Sequence, residues 1–215
     1  MTQKQSHTLT CTDCGTQNCK YKNRTYPDFC LTTRLEQEDL EWALERYGDD
    51  NNHNVMVASA EVEYEGYCRL TRVEEIMTFA RKMGYRKIGI AHCIGLLNEA
   101  RIFARILRAN GFEPYAVICK VGGVAKSSVG IPAACESIGA AMCNPILQAR
   151  LLNQEQTDLN VVIGLCVGHD SLFYKYSEAY VTTLVTKDRV TGHNPAAALY
   201  TTNSYYRKKL MPEGE

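Results

Sequence analysis

Cysteine is the residue type most able to do chemistry in this chain, with ten copies among 215 residues. Four of them, Cys11, Cys14, Cys19 and Cys30, are spaced C-x2-C-x4-C-x10-C in an otherwise polar stretch. Thiolates this close in sequence can enclose one soft cation or one cluster, because closing so short a loop costs little entropy. A tetrathiolate zinc site brings its ligands as two short knuckles, and only Cys11 and Cys14 form one. The wider spacing of Cys19 and Cys30 suits an iron–sulfur cluster of the 4Fe-4S kind, whose larger inorganic core accepts ligands from farther apart. Zinc is the alternative, and free or redox-active thiols a third reading.

A second group is spread along the chain: Cys93, Cys119, Cys143 and Cys166. Each falls at the end of an apolar strand-like run or just ahead of a helix. Cys93 closes RKIGIAHC, Cys119 lies in EPYAVICKV, Cys166 in LNVVIGLCVG, and Cys143 opens CNPILQARLLNQEQ. In a parallel sheet those positions converge on the edge where ligands bind. The group is therefore expected to line a pocket that holds a cofactor or small molecule. Cys143 is the best nucleophile among them, since the following helix dipole favours its thiolate. His169, in LCVGHD, can orient or protonate something held by Cys166. Cys119 is the weakest member. Against all of this, cysteine is among the most buried residues and often fills a strand as a small hydrophobe; Cys68 and Cys135 are read in that structural way.

The elements that must position these residues follow from the patterning. Residues 35–48 and 73–84 read as helices, the second opened by a Thr71/Glu74 capping box and closed at Gly84. A helix over residues 54–67 is expected between them. From residue 86 the rhythm becomes strand, amphipathic helix, strand, which means parallel βαβ units. Asn144 and Pro145 form a helix start, and Asn194 and Pro195 repeat it. The expectation is an α/β fold, an open and mostly parallel Rossmann-like sheet of about four strands flanked by helices (residues 34–215), with a cysteine-rich metal-binding lobe (residues 1–33). The loop KVGGVAKSSVG could cradle an anion but lacks the order of a P-loop. Asp188, Arg189 and His193 form a polar loop on the presumed ligand side, with His92 and His193 at strand ends as well.

Composition bounds the partners. Lys plus Arg and Asp plus Glu both total 24, so no net charge is available to hold nucleic acid or an acidic membrane. No stretch approaches the roughly 20 apolar residues of a membrane span, and no signal-peptide-like run precedes Cys11. The chain is expected in the cytoplasm, where so many cysteines serve metal or thiol chemistry rather than structural disulfides. The partner is then a small-molecule substrate or an electron-transfer partner.

The blocks IGIAHCIGLLNEA, CKVGGVAK, CNPILQARLLN, TDLNVVIGLCVGHDSLF and TTLVTKDRVTGHNPAAALY, with the amino-terminal cysteines, resemble an uncharacterised prokaryotic family labelled as metal-binding proteins, domain of unknown function 1847. That resemblance implies metal binding through the cysteines and supplies no reaction. Two activities follow as expectations: redox or sulfur-transfer chemistry on a small molecule by an iron–sulfur protein, or a zinc-stapled, non-catalytic module for metal sensing or delivery. A thiol sensor using a Cys143–Cys166 disulfide is a weaker third.

Overall fold

The computed structural model describes residues 7–22 and 25–211. The six residues ahead of His7, Asn23 and Arg24 in the amino-terminal lobe, and the last four residues of the chain lie outside the described residues. Internal contacts divide the chain into two compact units, Met1–Val57 and Ala58–Glu215, whereas composition alone suggests a division after residue 33.

The amino-terminal unit opens with a single 3-10 turn, Cys11–Asp13, pinned where the Thr10 N–H donates to the Asp13 carboxylate at 2.7 Å. Short helix α1 (Leu31–Arg34) and helix α2 (Gln37–Arg46) follow, and α3 (Asp50–Gly66) begins in this unit. The large apolar residues of α2, Leu40, Trp42 and Leu44, stay exposed: Trp42 is 60% exposed, with the Arg46 guanidinium 4.7 Å from its ring centroid. This unit therefore has little aliphatic core, as its polar composition implies.

In the second unit the end of α3 meets α4 (Arg72–Lys82), with Lys82 reaching Glu61 at 2.9 Å and Glu65 at 2.8 Å. The expected capping box is present: the Thr71 N–H donates to Glu74 Oε2 at 2.8 Å and the Glu74 N–H returns to Thr71 Oγ1 at 3.4 Å. Gly84 ends the helix with φ 71°, a left-handed turn that a Cβ would oppose. The chain then runs through β1 (Lys87–His92), α5 (Leu97–Ala109), β2 (Glu113–Ile118), α6 (Pro145–Gln154), β3 (Leu159–Ile163), α7 (His169–Tyr176), β4 (Tyr180–Val185), α8 (Ala196–Tyr200) and α9 (Arg207–Leu210). Asn194 does not cap α8 with its side chain; Pro195 takes the cap position.

The four strands form one parallel sheet in the order β2-β1-β3-β4. Both faces are covered, which explains the near-continuous apolar runs. On one face Ile88, Ile90, Val161 and Ile163 pack with Phe103 and Leu107 of α5 and Ile76 of α4. On the other, Ala91, Val117 and Val162 pack with Ala149 and Leu152 of α6 and Phe173 of α7. Strand alternation puts Cys93 and Cys119 on this second face, beyond Ala91 and Val117. The winding reverses between β1 and β3, because β2 is built outward on one side of β1 and β3 on the other. Such a switch point opens a crevice at the carboxyl ends of the strands.

Candidate functional site

The strand-end cysteines gather at that crevice. Cys93 directly follows β1 and Cys119 directly follows β2, and the ladder extends through them: the Cys119 N–H donates to the His92 carbonyl at 2.8 Å, and the Cys93 N–H to the Ile163 carbonyl at 3.0 Å. Cys93 and Cys119 thus lie side by side on neighbouring strands, about 4.8 Å apart at their backbones. Cys143 arrives from the other direction. It precedes Asn144, whose N–H donates to the Cys119 carbonyl at 2.7 Å and whose side chain caps α6 by accepting from the Leu147 N–H at 3.1 Å. One cap therefore both starts α6 and fixes Cys143 beside Cys119. Beneath them Gln148, fully buried, donates to the Val117 carbonyl at 2.7 Å and the His92 carbonyl at 3.3 Å, tying α6 to both strand ends.

The side chains form a line. The Cys119 thiol neighbours both Cys143 and Cys93, and Cys143 neighbours in turn His169, the first residue of α7. Cys119 therefore holds its proton firmly, raised far above the ordinary thiol value by its bonds to Cys143 and Cys93. Cys143 is held well below the ordinary thiol range by its bonds to Cys119 and His169, and Cys93 by its bond to Cys119, the Gly95 backbone and the Lys187 ammonium. The His169 imidazole is raised by the Cys143 bond. The neighbouring Ile94 N–H also donates to the Cys119 sulfur at 3.3 Å.

Cys166 lies in the same rim but has a different partner. Arg189 donates to its sulfur at 3.2 Å, and Cys166 is not part of the Cys93, Cys119, Cys143, His169 line. His92 occupies the opposite face of the sheet, where burial lowers its imidazole and its Nδ1 lies 3.1 Å from the Cys93 carbonyl. Cys68 and Cys135 are exposed rather than core residues. Sequence reasoning ranks Cys119 lowest, yet it is the middle sulfur; the clue is that His92-Cys93 and Ile118-Cys119 end adjacent strands at the same register. Lys120 and Lys187 escape sequence reasoning, although each closely follows a strand end, and both act electrostatically on this site.

In the amino-terminal unit, Cys11, Cys14, Cys19 and Cys30 line a single cavity of about 110 Å³ with Asn18. Asn18 is 1% exposed and donates to the Thr25 carbonyl at 3.2 Å, while its Oδ1 has no partner among the described residues. The donor set has the chemistry of a soft-metal site. Its geometry does not yet match one: among the described residues no group of three or more His, Cys, Asp or Glu side chains is disposed to hold a metal ion.

Residues 30–184 match the family of proteins of unknown function designated DUF1847. The chain belongs to this family. It is similar to an uncharacterized protein of Methanocaldococcus jannaschii, MJ0455, with 47% identity over 183 residues, covering 85% of this chain and 93% of that protein. The DUF1847 match takes in the sheet up to the next-to-last residue of β4, with Cys93, Cys119, Cys143, Cys166 and His169, while Lys187 and Arg189 fall beyond it and Cys11, Cys14 and Cys19 ahead of it. Among the described residues no helix is long and apolar enough to cross a membrane.

Proposed function

We propose that this protein is a thiol enzyme performing redox or sulfur-transfer chemistry on a small molecule at the ends of β1, β2 and β3. The observation that carries this reading is the gathering of His169, Cys143, Cys119 and Cys93 as successive neighbours at the ends of β1 and β2, fixed there by the backbone bonds of Cys119 to His92 and to Asn144. It supplies an activated thiolate, a proton partner and a second thiol within reach, which are the parts required for nucleophilic sulfur chemistry.

The Cys143 thiolate attacks one sulfur of a substrate S–S bond, forming a mixed disulfide, and the departing thiolate takes the proton of the His169 imidazolium. Once Cys143 is tied up in the mixed disulfide its negative charge no longer holds the Cys119 proton, which passes to water, and the Cys119 sulfur attacks the Cys143 sulfur. This forms a Cys119–Cys143 disulfide and expels the second substrate thiolate, which is protonated in turn. One S–S bond of the substrate is reduced and two protein thiols are oxidised; a thiol reductant returns them. Such a cycle fits a reducing cytoplasm, which is the location we propose, and neither nucleic acid nor a membrane is needed as a partner.

The test is oxidation of the full chain by a small dialkyl disulfide, followed by mass mapping. A Cys119–Cys143 bridge is expected. A bridge from Cys143 to Cys166, or none at all, would count against the reading.

The amino-terminal quartet supports a separate metal-binding role, with an iron–sulfur cluster preferred to zinc because of the irregular ligand spacing. Four thiols around one cavity favour it. A site of this kind closes as metal binds, so the open arrangement of the four sulfurs is compatible with it. If only zinc is held there, this unit acts as a staple and not as a redox partner.

A further inference from the structure

The rim of the thiol site carries more positive charge than its thiolates require, and it comes from a loop built to present it. Lys187 and Arg189 flank Asp188, and Asp188 is spent on its own turn: its Oδ1 accepts the N–H groups of Val190 at 2.9 Å and Thr191 at 3.0 Å. The turn is closed by His193, which holds φ 67°, donates its N–H to the Asp188 carbonyl at 2.7 Å and accepts the Asp188 N–H on its Nδ1 at 3.1 Å. A conformation that L-residues seldom adopt is thus locked by two bonds. The flanking side chains reach back to the cysteines, Lys187 to Cys93 and Arg189 to Cys166, with Arg189 also within electrostatic range of Cys93 and Cys143.

Lys120 adds a third cation from the loop after β2, near Cys143 and His169, with its ammonium donating to the Ala141 carbonyl at 2.6 Å. Two nearby carboxylates are already engaged: Asp188 in its own turn, and Asp170, beside His169, which accepts the Ser171 N–H at 2.8 Å. Gly95 keeps the approach clear. A Cβ there would stand 3.7 Å from Lys187 Nζ and 3.9 Å from the Cys93 sulfur, in the space between the cation and the thiol.

We infer that the substrate of this site is a small anion, whose charged group is received by Lys187, Arg189 and Lys120 while its electrophilic atom meets Cys143. The inference rests on the thiol-enzyme reading. Three cations on two loops around a crevice with low-dielectric walls focus the field on an incoming negative charge. If neutralising thiolates were their whole purpose, Arg189 would not remain exposed and turned towards Cys166, which lies outside the line of activated sulfurs.

Two alkylating agents of like size separate the possibilities. Iodoacetate carries a carboxylate and iodoacetamide is neutral, and both transfer a carbon to a thiolate with loss of iodide. The ratio of their rates at Cys143, divided by the same ratio at exposed Cys68 or Cys135, is expected to exceed about ten in the intact protein at low salt and to shrink with added salt. Lys187→Gln and Arg189→Gln should each bring that normalised ratio down severalfold, and Gly95→Val should lower it by obstruction. A normalised ratio near one in the wild-type protein overturns the inference while leaving a reactive Cys143 in place. If Cys143 reacts with neither agent faster than Cys68, the thiol-enzyme reading itself fails.

Discussion

Cys119 stands beside Cys93 because its N–H continues the sheet ladder, donating to the His92 carbonyl at 2.8 Å, and its own carbonyl accepts the N–H of Asn144 at 2.7 Å. One backbone unit therefore joins two strand ends to the start of a helix. The three sulfurs meet because the sheet register and the α6 cap meet, and the chemistry depends on both.

If Cys119 is the proton holder between two thiolates, removing its S–H should be felt at Cys143. Cys119→Ala is expected to raise the Cys143 thiol back towards its ordinary value and slow its alkylation at about pH 6 by roughly tenfold or more. Cys119→Ser keeps a donor of similar reach and should recover much of the rate. Equal rates in wild type and the alanine variant would show that His169 alone activates Cys143.

The Cys143 and His169 pair has a predictable pH signature. A His169 value raised in the folded state contributes stability that is complete below about 6.5 and lost as pH rises through the raised value. The lowered Cys143 value works in the other direction, its contribution present above the ordinary thiol value and lost as pH falls towards the depressed one. Denaturant unfolding of wild type and His169→Gln should therefore show a stability gap that is widest at about pH 6 and narrows as pH rises through the raised His169 value. A gap that widens with rising pH would contradict the ion pair.

Asn144 is expected to matter for both stability and placement. Asn144→Ala removes the α6 cap and should cost about 1 kcal/mol, a fall of roughly 2–4 °C in Tm for a chain of this size. Asn144→Asp should retain most of it. Leu107→Ala, in the core on the far face of the sheet, should cost more, about 2–5 kcal/mol, yet leave the relative reactivity of Cys143 unchanged. Calorimetry with alkylation on the same samples separates a global loss of stability from a local loss of alignment.

The amino-terminal quartet has its own test. Anaerobic reconstitution with iron and sulfide should give a broad brown absorption, and Cys14→Ser should abolish it without altering the main melting transition, because the sheet carries its own aliphatic core on both faces. A colourless protein holding one zinc would assign that unit to stapling.

Much of the fold is legible in the sequence. The uninterrupted apolar strands, the Thr71/Glu74 box and the Asn144-Pro145 start each encode local structure by period or cap chemistry, and each takes its expected place. The convergence of Cys93, Cys119, Cys143 and His169 can be anticipated because parallel strands end on one side. The order of the sulfurs cannot, since it depends on register between β1 and β2 and on which face Cys93 and Cys119 share. That is why Cys119 looks weakest in the sequence and why Cys166, close in the rim, pairs with Arg189 instead. The role of Lys187 and Arg189 is hidden for the same reason: turn chemistry at Asp188 and His193 aims them, and spacing alone gives no direction.

The central claim is that Cys143 is a thiolate activated by its neighbours, and the most direct measurement is competitive alkylation of the intact protein by sub-stoichiometric iodoacetamide at about pH 6, resolved by peptide mass mapping. At that pH an ordinary thiol is almost wholly protonated. The account predicts that Cys143 is labelled at least about tenfold faster than the more exposed Cys68 and Cys135, despite being half-buried. Labelling ordered by exposure, with Cys68 and Cys135 ahead of Cys143, would contradict it.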